Sequence, residues 1–217
     1  MTENTTERLR SRFEAALATA GASSPTEATE RVFAELLERH AEAHRRYHTM
    51  EHVGACLGWL DWYAAHAQRP AEVSLALFFH DAIYDPKAAD NEARSAALAR
   101  EKLAELGVEA ESIERIAAHI LATKAHGAAE GDTQLVVDLD LTILGARRAV
   151  YDDFERRIRE EYAHVPEALF RDGRRAVLEA FLSRAPIYRT PPLAEELEKR
   201  ARANLERRVR ELATLVS

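Results

Sequence analysis

Apolar residues recur along most of this chain at steps of three and four, the mark of helices that bury one face. Residues 8–20 read as a first helix, stopped by Gly21. Ser24-Pro25-Thr26-Glu27 has the form of a capping box with proline at the first helical position, so a second helix starts there. It carries Val32, Phe33, Leu36 and Leu37 inward and runs toward Arg45. A third helix is expected over about 49–67, with His48 and His52 at its start. Pro70 separates it from residues 71–82, which are apolar on nearly every side and therefore central. After the Asp85-Pro86 turn comes a helix closed by Gly107, and then one over 111–123 with Ile113, Ile116, Ile120 and Leu121 facing the core. The segment 135–144 reads two ways. Its odd positions from 135 to 143 are all apolar, as in a strand with Asp138 and Asp140 on one face. In helical register Asp140 falls in phase with Val137, Leu141 and Leu144, while Asp138 joins Thr142 and Gly145. The helical surroundings favour the second reading. Three further helices lie near 147–163, 166–184 and 193–214, parted by Pro166 and by 186–192.

Composition agrees. Ala, Leu, Glu and Arg dominate the 217 residues, against 8 Gly and 7 Pro, which favours an all-α fold. A single domain is expected over 1–217, with a core over about 30–150 and a helical extension over about 150–217. The net charge of −7 argues against general nucleic-acid binding, which rewards a basic surface. Cys56 is the lone cysteine, so neither an intrachain disulfide framework nor a Cys-rich zinc site is expected. With no secretory signal and no apolar run near ~20 residues, the expectation is a cytoplasmic protein that does not enter membranes. The C-terminal helix leaves a homodimer open.

Against this background two stretches carry chemistry. In Tyr47-His48-Thr49-Met50-Glu51-His52 the histidines are spaced i, i+4, which on a helix puts both imidazoles on one face. In Phe78-Phe79-His80-Asp81 an imidazole and a carboxylate end an apolar helix, a costly arrangement unless a partner such as a divalent metal is present. His40 and His44 repeat the i, i+4 spacing upstream but read as surface residues. The inward stripe Ala88, Ala99, Leu103, Leu106 passes through Glu92 and Ser95, polar groups in core register that mark either function or a buried network.

Together, Arg46-Tyr47-His48…His52, Phe79-His80-Asp81…Tyr84, Asn91-Glu92…Ser95-Ala96 and Asp138-Leu139-Asp140-Leu141…Leu144-Gly145 resemble the HD superfamily of metal-dependent phosphohydrolases. More narrowly they resemble a bacterial branch labelled predicted metal-dependent HD phosphohydrolases. The resemblance runs from about residue 30 to 205. It implies an HD-type helical bundle with extra N- and C-terminal helices, in which His52, His80, Asp81 and a late aspartate bind a divalent metal. The pattern Leu139-Asp140-Leu141 matches the family best and makes Asp140 that aspartate, with Asp138 as the alternative or a supporting group. Such a nitrogen/oxygen set suits Mn, Fe, Co, Ni or Zn, with Mg as an added option, as one or two ions. The similar Tyr-His-x-x-x-His arrangement of cyclic-nucleotide phosphodiesterases implies that His48 protonates the leaving oxygen; the alternative is that it only bonds a core carboxylate. Glu92 would orient water or a ligand imidazole, His119 or His126 would assist a second ion, and Lys124 or Arg94 would meet phosphate. The implied activity is hydrolysis of a phosphoester of a nucleotide or other small phosphorylated metabolite by metal-activated water.

Two rivals share these residues. His48-Thr49-Met50-Glu51-His52 also fits H-x-x-E-H, the inverted zinc-peptidase motif, with Glu51 as base. Alternatively, an HD-like fold binds metal or nucleotide without turnover.

Overall fold

The computed structural model describes residues 3–23, 26–127 and 129–214. Among them the secondary structure is all helical, with no strand. The chain divides into two compact units, one through Asp140 and one from Leu141 onward.

The first unit holds α1 (Glu3–Thr19), α2 (Thr26–His40), α3 (Met50–Tyr63), α4 (Pro70–Phe79), α5 (Asn91–Glu105), α6 (Ala110–Ala122) and α7 (Gly131–Asp140). Of the capping box, Ser24 and Pro25 lie outside the described residues; α2 is described from Thr26. α4 is the axis of the unit and packs against α1, α3, α5, α6 and α7. Every residue from Glu72 to Phe79 is buried, as expected of a helix apolar all round. Phe78 meets Phe13 edge-on at 5.1 Å, and Phe33 closes the same cluster at 5.7 Å from Phe13. Each such side chain contributes about 1.5–3 kcal/mol by leaving water. Pro70 opens α4 at a position where its missing N–H costs nothing. Just before it, the backbone N–H groups of Gln68 and Arg69 donate to the Asp132 carboxylate at 2.7 and 2.8 Å. A residue of α7 thus secures the start of α4.

Two expectations need correction. Helix α3 begins at Met50, with Thr49 in extended conformation (φ −120°, ψ 176°) as its N-cap and its hydroxyl accepting from Glu51 N at 3.3 Å. His48 therefore lies in the turn before the helix, and only His52 of the pair is helical. The helix after Asp85-Pro86 starts at Asn91, so Ala88 belongs to the connecting loop and not to the inward stripe. The two-valued segment is a helix to Asp140 and a 3-10 turn over Leu141–Gly145. Leu135, Val136, Val137, Asp138 and Leu139 are all buried, and a helix buried on every side leaves no 3.6-residue pattern to read. Gly107 ends α5 at φ 76°, where a Cβ would collide with Ser23.

The second unit holds that 3-10 turn, α8 (Arg148–Glu161), α9 (Glu167–Leu182) and α10 (Pro191–Thr214). Asn204 on α10 donates to the carbonyls of Leu144 and Ala146 at 2.9 and 3.0 Å, and the Tyr188 hydroxyl donates to Leu141 O at 2.9 Å. Gly145 faces Leu197 so closely that a Cβ would not fit. No helix among the described residues is long and apolar enough to cross a membrane.

Candidate metal centre

Three helices of the first unit deliver the candidate ligands at or near their ends. His52 sits in the first turn of α3, His80 caps the C-terminus of α4 with Asp81 next, and Asp140 is the last residue of α7. From His52 Nε2 it is 3.1 Å to His80 Nε2, 3.0 Å to Asp140 Oδ1 and 3.8 Å to Asp81 Oδ2. His80 Nε2 lies 3.0 Å from Asp81 Oδ2 and 3.5 Å from Asp140 Oδ1. Both imidazoles are buried, while the carboxylates keep 18% and 14% of their side-chain surface exposed and so form the open side.

This donor set fits a divalent cation. His80 Nδ1 bonds the Leu77 carbonyl at 2.9 Å, so that nitrogen carries the proton and Nε2 presents a lone pair. Tyr47 Oη stands 3.0 Å from His52 Nδ1 and orients the other ring in the same way. Ligands about 2.1 Å from a shared ion stand about 3.0–3.4 Å from one another, close to the spacings found. His52, His80 and Asp81 form one metal-competent group, and His52, Cys56 and Asp140 a second. Cys56 Sγ is 3.7 and 3.8 Å from the two nitrogens of His52, nearly equidistant and so on the lone-pair axis of neither. Burial, then Asp140 and Asp81, push its thiol pKa well up, so it stays neutral and is the weaker donor.

Electrostatics point the same way. Burial favours a neutral carboxyl at Asp81, but His80 and, after it, His48 pull its pKa well below the usual range. At Asp140 burial is again opposed, here by the hydrogen bonds of His126, His52 and His80, with the same net direction. Burial would lower His80, yet Asp81 and Asp140 raise it far above an ordinary imidazole. Without a metal, a proton on Nε2 therefore meets these carboxylates, and a bound cation would take that proton's place. Two ionised carboxylates at the edge of an apolar core call for positive charge between them, and a divalent cation supplies it.

Other candidates fall around this cluster or away from it. His126, at φ 45° in the loop before α7, holds Asp140 Oδ2 at 2.8 Å and so joins the cluster through that carboxylate. The His48 ring stacks on Tyr84 at 4.2 Å, with the Tyr47 edge at 5.1 Å, beside the cluster and not in it. Asp138 is buried and accepts from Gln134 Nε2 at 2.8 Å; two residues from Asp140 on a helix, it points elsewhere. Glu92 is half-buried in the first turn of α5, and no hydrogen bond or ion pair among the described residues ties it to the four donors. Its neighbours in that stripe do the local work. Ser95 Oγ accepts from Ile83 N at 3.0 Å and donates to Ile83 O, while Asn91 bonds both backbone groups of Asp85. Lys124 donates to Ala89 O, His119 pairs with Thr133, and His44 bonds Tyr84 O. His40 is buried with Nδ1 on Leu36 O and is pushed down to about 3 by burial and then Arg45, so it remains neutral. The inverted zinc-peptidase geometry is not assembled: His48 belongs to neither metal-competent group among the described residues, and Glu51 is exposed.

Arg45 carries no mark in the sequence pattern. Its side chain is fully buried, and it donates to the backbone carbonyls of His48, Asp81 and Ala82. Side-chain-to-carbonyl bonds of this kind leave no periodic trace, and an arginine shortly after a helix end reads as ordinary surface charge. Compared with family models, with curated proteins and with solved structures, the chain matches none.

Proposed function

We propose that this protein is a metal-dependent phosphohydrolase of the HD type, acting on a phosphoester of a nucleotide or another small phosphorylated metabolite. The observation that carries the reading is the meeting of His52 Nε2, His80 Nε2, Asp81 Oδ2 and Asp140 Oδ1, drawn from three segments far apart in the chain. Their order, histidine then His-Asp then aspartate in an all-helical unit, is the order of the family that the sequence resembles.

In this reading His52 and His80 hold a divalent ion through Nε2, and Asp81 and Asp140 hold it through carboxylate oxygens. The ion supplies charge that activates water and polarises the phosphoryl group. The rest falls to the chain. His126 keeps Asp140 turned, with Oδ2 bonded and Oδ1 toward the imidazoles. Tyr47 fixes the His52 ring. His48, held against Tyr84 beside Asp81, delivers a proton to the leaving oxygen, a task suited to imidazole near neutral pH.

The test is metal analysis of the purified protein, followed by a panel of nucleotides and sugar phosphates compared between wild type and Asp81→Ala. Turnover that needs the metal and disappears with Asp81 supports the enzyme. Stoichiometric metal without turnover on any phosphorylated compound refutes it and leaves a metal-binding module.

A further inference from the structure

A guanidinium with no exposed surface is costly unless its donors are used. Arg45 uses them almost completely. Nη1 donates to His48 O at 3.0 Å and to Asp81 O at 2.6 Å, Nη2 donates to Ala82 O at 3.1 Å, and Nε bonds Glu42 Oε2 at 3.0 Å. The Asp81 and Ala82 carbonyls lie just past the end of α4, where helix carbonyls lack internal partners and the local field favours a cation. The His48 carbonyl belongs to a different segment, the turn before α3. The guanidinium also lies 5.5 Å from the centre of the Tyr84 ring, the ring that stacks on His48. One buried cation therefore ties the corner that carries Asp81 to the turn that carries His48.

We infer that Arg45 is a positioning residue of the metal centre, setting the Asp81 carboxylate and the His48 imidazole in place by holding their backbones together. The inference rests on the metal-centre reading above, though not on any particular substrate. Lysine keeps the charge but offers a single ammonium in place of a planar fork, so it cannot serve three carbonyls in this arrangement.

Cobalt(II) titration of the metal-free protein, followed by the visible absorption of the bound ion, tests this without turnover. Wild type, Arg45→Lys, Asp81→Asn and the double variant are compared, with circular dichroism to establish folding. Arg45→Lys should fold and bind cobalt about tenfold more weakly, the usual cost of losing a group that orients a ligand. Asp81→Asn keeps an oxygen donor and should retain weakened cobalt binding, and the double variant should bind no more weakly than it, because Arg45 acts on the ion through Asp81. Wild-type affinity in Arg45→Lys, or losses that add in the double variant, would overturn the inference. Arg45→Gln is carried in parallel; if neither variant folds, Arg45 is a determinant of stability and the positioning role is refuted. Failure of wild type to bind cobalt removes the centre and this inference with it. Normal cobalt behaviour with no phosphoester turned over refutes only the phosphohydrolase reading.

Discussion

Two carboxylate clusters, one in each unit, are neutralised differently. In the second unit Glu155 receives Arg174 at 2.6 and 3.2 Å, the Tyr151 hydroxyl at 2.9 Å and Arg208 at 3.3 Å. Two permanent cations surround one anion, and the network is closed within the chain. In the first unit Asp81 and Asp140 face His52, His80 and His126, imidazoles whose charge depends on a proton. Among the described residues no arginine or lysine side chain pairs with either carboxylate; buried Arg45 gives its donors to carbonyls and Glu42. A structural network completes its own charge balance, whereas this cluster leaves a place for an external cation.

The largest effect should come from breaking the cation's place. Asp81→Ala and Asp140→Asn should each strip the metal and lower turnover by about a thousandfold or more, roughly 4 kcal/mol of barrier. Metal analysis and rates on the best substrate of the panel check both together. Glu155→Ala makes the opposite break. With Arg174 and Arg208 left facing an empty partner, stability should fall by about 3 kcal/mol in denaturant unfolding while cobalt affinity stays unchanged. The same network carries a pH signature. Burial tends to raise the Glu155 carboxyl, but Arg174 and Tyr151 bring its pKa below the ordinary 4.5. Because the folded value is the lower one, its stabilisation is complete above 4.5 and is lost as the pH falls through the folded value. Glu155→Gln should accordingly flatten the acid limb of stability against pH, and an unchanged limb would contradict the assignment.

Adding the ion sharpens the contrast further. At a hundredfold excess over its dissociation constant, a cation that binds only the folded protein should add about 2.7 kcal/mol of stability to wild type and nothing to Asp81→Ala. The gentlest probe is Tyr47→Phe, which removes only the hydroxyl on His52 Nδ1. It should weaken metal binding by about tenfold, as loss of a ligand's supporting hydrogen bond does, with the unfolding midpoint nearly unchanged.

What could be read from the chain follows from what leaves a pattern. His80 and Asp81 stand out because polar side chains end an apolar run, while His52 stands out by its spacing from His48 and becomes a candidate ligand through the family resemblance. Asp140 is preferred to Asp138 through the resemblance carried by Leu139-Asp140-Leu141, because complete burial of 135–139 erases the helical period that would separate their faces. The turn at His48 can be found from Thr49, a favoured N-cap residue, but the i, i+4 spacing of the histidines invites His48 into a helix that starts only at Met50. Glu92 was singled out on a stripe extended back to Ala88; with α5 starting at Asn91, Ser95 and Asn91 are the residues that hold the loop after His80-Asp81. Arg45 and Asp132 were not legible at all. Each bonds backbone atoms of distant segments, and such bonds depend on tertiary placement alone.

The central claim is that His52, His80, Asp81 and Asp140 share one cation, and calorimetric titration of metal-free protein with manganese or cobalt tests it most directly. The account predicts saturable binding in wild type that is lost in Asp140→Asn, whose fold is otherwise intact. Equal binding by the two proteins, or none by wild type, would contradict it.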